Sequence, residues 1–240
     1  MARLTARSVV LSLLLGTHPA TAGAAELVRL TADFGIKESA LRVALTRMVG
    51  AGDLIRSADG YSLSERLLAR QRRQDEAMHP RVRRWRGDWI AVIITSVGSD
   101  ARSRAALRTT LQHRRFAELR EGVWLRPDNL DLVLDGDIRD RSRVLTVRDE
   151  DPAGLVGQLW DLPGWTRAGE DLLGAVAAAG DVPTRFTLAA AIVRHLLTDP
   201  VLPGELLPPD WPGERLRVAY TDFAAEIGRR RKDSQRVEAR

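Results

Sequence analysis

The chain has 240 residues, of which 44% are hydrophobic, and it carries a formal net charge of +5. This length is enough for two or three domains, and the hydrophobic content excludes a mainly disordered chain. The absence of cysteine excludes disulfides, thiolate zinc sites and cysteine nucleophiles, and it is consistent with a cytoplasmic location.

Basic residues are in excess at both ends of the chain. Residues 1–84 contain 14 Lys and Arg against 8 Asp and Glu, and residues 227–240 contain 6 against 2. Residues 85–226 are acidic, with 17 against 22. A basic N-terminal segment is typical of a part that contacts phosphates, although terminal arginines can also simply keep a protein dissolved.

A buried first helix is predicted from Thr5 to Leu15, with Thr5 as its N-cap and Gly16 at its end. The same stretch imitates a secretory signal because an apolar run follows basic residues. However, the run contains Ser12 and ends at His18-Pro19, and the apolar positions after it continue with helical spacing. No segment reaches the roughly 18 apolar residues needed to span a bilayer, so no membrane association is expected.

The next stretch has the pattern of a winged helix-turn-helix, in which the second helix enters the DNA major groove. Helices are predicted at 24–34 and 38–51, with a tight turn between them. Two short strands, 54–56 and 61–63, follow as the wing. They are joined around Asp59-Gly60, a favoured hairpin-turn dipeptide.

The second of these helices has two distinct faces. Leu41, Leu45 and Met48 recur at helical spacing and are predicted to point inward. The opposite face carries small, hydroxyl and guanidinium groups, which suit contacts with bases and phosphates. We predict DNA contacts through Lys37, Ser39, Arg42, Val43, Thr46, Arg47 and, on the wing, Arg56. For Arg56, an exposed strand arginine without a role is the alternative.

Residues 65–84 are interpreted as a linker helix between domains, capped by Ser64 and carrying solvated arginines. A second unit follows over residues 85–150. Its predicted elements are a buried strand at Trp89–Val97, a helix at 100–116, and strands at 123–126, 132–134 and 143–147. Strand–helix–strand followed by further strands favours a small ferredoxin-like α+β domain, and such domains often pair as dimers.

From Pro152 onwards the pattern is helical. Helical candidates lie around Leu155 to Leu162, at 169–179, at 188–197 and, after a Pro-rich stretch, at 215–228. We interpret residues 151–228 as a helical C-terminal domain. The arginine-rich residues 229–240 are predicted to form a flexible basic tail.

The whole layout resembles the PaaX family of transcriptional repressors. The resemblance covers most of the chain and is carried by three stretches in order. These are TARSVVLSLLLG with the later LRVALTRMVGAGDL, WRGDWIAV from Trp85 to Val92, and HLLTDPVLPGELLPPDWPG from His195 to Gly213. It implies an α+β protein with an N-terminal winged helix, a middle domain resembling the ferredoxin-like fold of Cas2, and a mainly helical C-terminal domain for effector binding or dimerisation.

The resemblance also implies a function and its partners. A homodimer would bind double-stranded operator DNA and be released by an acyl-CoA effector, which in the best-known members is phenylacetyl-CoA and controls phenylacetate catabolism genes. No other cofactor is implied. Candidate effector contacts are Arg185, Arg194 and Arg215, although a surface ion pair is the simpler interpretation of each one. The effector, the operator and the choice between repressor and activator stay open.

The sequence leaves two alternative functions open. A metal-dependent nuclease would need an acid at the end of the first strand of the Cas2-like domain, but Asp100 lies past that end. Asp135 and Asp137 fall in a turn-like stretch, and neither a hydrolase motif, a phosphate loop nor a metal-ligand His cluster occurs. We therefore predict no catalytic and no metal-binding residues. A DNA-binding protein without any ligand is the other alternative.

Overall fold

The protein is represented by a computed structural model that describes residues 4–96 and 100–238. Its helices are α1 Ala6–Leu15, α2 Ala24–Ala32, α3 Glu38–Gly50, α4 Glu65–Met78, α5 Ala101–His113, α6 Gly136–Arg141, α7 Pro152–Leu159, α8 Leu162–Ala178, α9 Val182–Leu196 and α10 Gly213–Glu238. Its strands are β1 Thr21–Ala22, β2 Leu54–Ser57, β3 Gly60–Leu63, β4 Trp89–Ile94, β5 Ala117–Arg120, β6 Val123–Pro127 and β7 Ser142–Val147.

The chain divides into two compact units. Unit 1 comprises Met1–Met78, Asp171–Leu197 and Glu214–Arg240, and unit 2 comprises His79–Glu170 and Thr198–Gly213. The region 151–228, which the sequence suggested as one domain, is therefore shared between the two units. Unit 1 is built from chain segments that are far apart in sequence.

Helix α1 is buried on two sides. Thr5 caps it as predicted, because its Oγ1 accepts the Ser8 backbone N–H at 3.1 Å. Val10 and Leu14 pack into a core with α3 and the wing, whereas Val9 and Leu13 pack into a second cluster that contains Phe186 of α9. This double burial explains why the stretch is a nearly continuous apolar run rather than an amphipathic stripe.

Helix α4 is an integral part of unit 1, so the interpretation of residues 65–84 as a linker is corrected. Leu67 is buried in the same core as α1 and α3. The buried Gln71 side chain donates to the carbonyls of Leu14, Leu15 and Thr17 at 2.9–3.2 Å. It thereby satisfies carbonyls that the end of α1 leaves without a helical partner. Residues 79–84, after α4, are not helical.

A buried carboxylate joins three elements of unit 1. The Asp53 side chain, which is 3% exposed, accepts hydrogen bonds from Arg7 of α1 at 2.8 Å and from Arg66 of α4 at 2.5 Å. The Asp53 backbone N–H donates to the Met48 carbonyl of α3. Asp53 therefore fixes the exit of α3 relative to the helices on either side.

The last helix, α10, packs on the N-terminal domain. The ring of Phe186 in α9 lies edge-on to Phe34 at 4.8 Å and to Phe223 of α10 at 6.1 Å. Near the end of the chain, Arg230 pairs with Asp33 at 2.7 Å and Arg231 with Glu26 at 2.5 Å.

The prediction of a flexible tail at 229–240 is therefore corrected. Helix α10 continues to Glu238, and residues 239–240 lie outside the described part. The basic side chains at 230 and 231 find acidic partners on and beside α2, which stabilises the helix beyond residue 228.

Unit 2 contains a four-stranded antiparallel sheet with the order β5-β6-β4-β7. With α5 after the first strand and α6 before the last, this is the ferredoxin-like order, in which the first and third strands are central. The predicted fold class is confirmed. Strand β4 ends at Ile94, earlier than predicted, and Val97 of the predicted strand lies outside the described residues.

In unit 2, one predicted strand is wrong, and one strand and one α-helix were missed. Residues 132–134 form a loop, not a strand. Leu132 and Leu134 pack inward while Val133 is 75% exposed, so the alternation reflects burial of an extended loop that has no ladder partner. The short helix α6 follows this loop. Strand β5, which pairs with β6, was not predicted.

A buried arginine anchors the Pro-rich stretch of unit 2. The Arg126 side chain is fully buried and donates to Asn129 Oδ1 at 2.9 Å and to the Arg114 carbonyl at 3.1 Å. Burial lowers its pKa to about 9, so the guanidinium stays charged at pH 7. Asn129 in turn donates to the Val201 carbonyl at 3.0 Å, which ties residues near 200 to the sheet.

Candidate nucleic-acid interface

The helix-turn-helix is formed by α2 and α3. The turn between them contains Gly35 at a φ of +66° and the partly buried Ile36. Leu41, Leu45 and Met48 of α3 are at most 2% exposed, as predicted, and they lock the helix onto α1 and the wing. Because one face of α3 is fixed in the core, the opposite face has a defined orientation towards solvent.

The structure places all predicted contact residues of α3 on that outer face. They follow the spacing i, i+3, i+4, i+7, i+8 of a single helical stripe, and each is exposed. Val43 is 51% exposed, so its methyl groups are available for contact with a thymine methyl. The stripe consists of Ser39, Arg42, Val43, Thr46 and Arg47. Lys37 is exposed at the N-cap position.

The two arginines of the stripe differ in their surroundings. The Arg42 guanidinium pairs with Glu38 one turn earlier, with an Nη2–Oε1 distance of 2.6 Å, and both side chains are more than half exposed. Arg47 has no hydrogen-bond or ion-pair partner among the residues that the structure describes. A DNA duplex that approaches α3 would therefore meet the unpaired guanidinium of Arg47 and that of Arg42, which must first separate from Glu38.

We expect the substitution Glu38→Gln to strengthen DNA binding by about two- to tenfold at low salt. The change removes a negative charge that would face phosphates, and it releases Arg42 for a contact. Fluorescence anisotropy with labelled DNA at 50–100 mM salt measures this effect.

The matched control is Glu214→Gln, another exposed acid in the first turn of a helix that pairs with an arginine, here Arg217. It should leave DNA affinity unchanged. Weaker binding by Glu38→Gln would mean that the Glu38–Arg42 pair holds Arg42 in position for DNA rather than away from it.

The wing is a three-stranded sheet with the order β1-β3-β2, of which β1 was not predicted. Arg56 lies opposite Tyr61 and is exposed. Ile55 is 54% exposed on the same strand, an apolar wing residue that was missed. Gly60 has a φ of +125°, and a Cβ there would collide with the Ala22 carbonyl, so the close approach of β1 requires glycine.

The acids considered for a nuclease have other roles in the structure. Asp100 caps α5, because its Oδ1 accepts the Ser103 N–H at 2.9 Å. Asp135 pairs with Arg114 and Asp137 with Arg141. Within residues 4–96 and 100–238, no group of three or more His, Asp or Glu could hold a metal ion.

The structure does not bring the three candidate effector arginines together. Arg185 of α9 pairs with Glu226 of α10 at 2.9 Å. Arg215 is exposed near the start of α10. Arg194 lines a cavity between helices of unit 1, and the other two arginines do not line it.

Besides Ile55, sequence reasoning missed the roles of Asp53 and Glu38 at this site. An acid after a helix-ending Gly52 looks like a solvated turn residue, so nothing local signals that Asp53 is buried. Glu38 does stand four residues before Arg42, and this i, i+4 spacing is a recognised signal of a helical ion pair.

No helix in the described ranges combines the length and the apolar character that crossing a bilayer requires.

Comparisons with known proteins match three successive regions of the chain. Residues 5–67 match the family described as PaaX-like protein, residues 82–150 match the PaaX protein central Cas2-like domain, and residues 177–235 match the PaaX-like protein C-terminal domain. Among solved structures, the chain is similar to the uncharacterized protein Rv0674 from Mycobacterium tuberculosis. The two are 70% identical with a TM-score of 0.86, over 96% of this chain and 99% of that one. No curated protein matches the chain.

Proposed function

The chain belongs to the PaaX-like family, and from this premise we propose that it is a DNA-binding transcriptional repressor released by an acyl-CoA effector. The observation that carries the proposal is the outer face of α3. It presents hydroxyl, guanidinium and methyl groups on a helix whose other face is fixed in a core. These are the groups that read base edges and phosphates in the major groove.

The proposed regulator acts as a homodimer. Two copies of α3 would enter major grooves about 34 Å apart, one turn of the duplex, so the operator is expected to be a near-palindrome. Basic residues of the first 84 positions supply the salt-dependent, sequence-independent part of the affinity. The stripe on α3 supplies the discrimination between sequences.

Release by an effector requires a difference in affinity between two states. A ligand shifts the protein away from DNA only if it binds the DNA-incompetent arrangement more tightly than the competent one. The C-terminal helices α9 and α10 pack directly on α1, which in turn packs on α3. A change in how these helices pack is therefore a physical route from a ligand to the recognition helix.

The test is selection of preferred sequences from a random duplex library, followed by anisotropy at about 150 mM salt, with the oligomeric state measured by sedimentation. We expect one enriched, near-palindromic motif, which the purified protein binds at least a hundredfold more tightly than competitor DNA. The proposal fails if no sequence is enriched and the affinity for all duplexes is the same.

A further inference from the structure

Unit 1 contains a cavity of about 220 Å³ between four helices. Helices α1 and α4 of the N-terminal domain form one side, and α9 and α10 form the other. The cavity therefore exists only when the C-terminal helices are docked on the DNA-binding domain. It is separate from the outer face of α3, since none of the stripe residues lines it.

The lining of this cavity is about half apolar and half polar. The apolar part combines the rings of Phe186 and Phe223 with aliphatic and small side chains, and it favours an apolar group. Polar groups of Gln74 and Tyr220 complete the lining. The principal apolar lining residues are Leu13, Phe186, Ala189, Val193, Phe223 and Ile227.

The rim of the cavity is positively charged. Arg70 of α4 and Arg194 of α9 line it, and both side chains are exposed. Neither guanidinium has an ion-pair or hydrogen-bond partner within residues 4–96 and 100–238. By contrast Arg231, which also lines the cavity, is paired with Glu26 at 2.5 Å. Two unpaired guanidiniums beside a partly apolar space provide a site for a carboxylate or phosphate group.

The volume limits what can be enclosed. An apolar cavity of roughly 150 Å³ is large enough for a benzene ring, whereas whole drug-sized ligands occupy pockets of about 300–1,000 Å³. A space of about 220 Å³ therefore holds one aryl ring or short alkyl chain with a linking group. Any larger polar portion of the ligand must lie outside, against the rim.

We infer that this cavity is the sensor site of the protein and that it binds a small aryl or alkyl acyl group whose anionic end is held by Arg70 and Arg194. The inference rests on the proposed function, because it gives the effector a location. Ligand binding between α1–α4 and α9–α10 would alter the packing of α1, and thereby of α3. The free acid and its CoA thioester share the apolar acyl group. The acid offers the arginines a carboxylate, whereas the thioester is neutral there and carries its negative charge on the CoA phosphates.

Calorimetry on the full chain tests the site with defined probes. The probes are phenylacetate, hexanoate, the CoA thioester of each, CoA alone, and the uncharged phenylacetamide. We expect at least one acid or thioester to bind, and phenylacetamide to bind about tenfold or more weakly. Comparing free acids with thioesters identifies which source of the acyl group the rim prefers. The inference is overturned if no acid and no thioester binds.

Two variants locate the binding. Ala224→Leu adds bulk inside the cavity and should weaken binding at least tenfold, whereas Ala225→Leu, one residue along α10 and exposed outside the cavity, should not. Arg194→Gln should weaken binding of the anionic probes about tenfold without affecting packing, which covers the case in which Ala224→Leu fails to fold. Unchanged binding in Arg194→Gln and in a folded Ala224→Leu would overturn the assignment.

The same samples separate this inference from the proposed function. Sequence-specific DNA binding is measured without probe, and then with the probe that binds best. Specific DNA binding together with a probe affinity that the cavity variants do not change would retain the regulator and reject the site. Probe binding that depends on the cavity, in a protein that shows no DNA preference, would retain the site and reject the regulator.

Discussion

Substituting Arg47 by alanine is expected to weaken operator binding by about 5- to 150-fold for each half-site. A good arginine contact with a base contributes roughly 1–3 kcal/mol of discrimination. Arg47 carries the larger part of this effect because its guanidinium is free of partners in the described structure, whereas that of Arg42 is paired with Glu38. Anisotropy titrations with operator and with scrambled DNA measure the loss.

The controls for Arg47→Ala distinguish base contacts from phosphate contacts. Arg167→Ala, an exposed arginine of α8 in unit 2, should leave the affinity unchanged. Arg56→Ala on the wing should weaken binding to all sequences and reduce the salt dependence by about one phosphate contact. If Arg47→Ala lowers the affinity for scrambled DNA as much as for the operator, Arg47 contacts the backbone and the assignment of specificity to it is wrong.

The substitution Asp53→Ala is expected to lower the free energy of unfolding of unit 1 by about 2 kcal/mol. It removes a buried carboxylate that bonds to two guanidiniums, and hydrogen bonds to charged groups contribute about 1.5–3 kcal/mol each. The loss is close to that of a single such bond because the side chains of Arg7 and Arg66 are 60% and 67% exposed and regain water.

The distribution of aromatic residues gives this experiment an internal reference. All six tryptophans lie in the segments of unit 2. Unit 1 contains no tryptophan, and its two tyrosines are Tyr61 and Tyr220. Urea unfolding followed by far-ultraviolet circular dichroism should shift to lower urea in Asp53→Ala, while the tryptophan transition moves less. Asp222→Ala, an exposed acid of α10, is the matched control. An unshifted dichroism transition would show that Asp53 does not stabilise unit 1.

The N-terminal domain was predictable because its signals are local. Capping by Thr5, the spacing of Leu41, Leu45 and Met48, and the hairpin dipeptide at residues 59–60 each depend on a few neighbouring residues. The exposed face of α3 followed from the same periodicity. The prediction of a strand at 132–134 was wrong for the converse reason. A strand needs a neighbouring strand, and the alternation of apolar residues could not reveal that none is available there.

Features made by distant residues could not be predicted. The burial of Asp53 depends on Arg7 and Arg66, which are 46 and 13 residues away. The ordering of α10 beyond residue 228 depends on acids near residues 26 and 33. The cavity is lined by residues from Ser12 to Arg231, so no contiguous stretch of sequence carries its pattern. A resemblance could suggest an effector, but only the packing of four helices suggests a place for one.

The placement of both ends of the chain in one unit has a consequence for synthesis. On the ribosome, α1 and α2 emerge long before α9 and α10, so Val9, Leu13 and Phe34 lack the Phe186 and Phe223 that cover them in the finished protein. Such uncovered apolar surface in a nascent chain favours aggregation or chaperone binding. The DNA-binding domain is therefore expected to reach its final packing only after residue 231 has been translated. Pausing of translation before that point should raise the yield of insoluble protein.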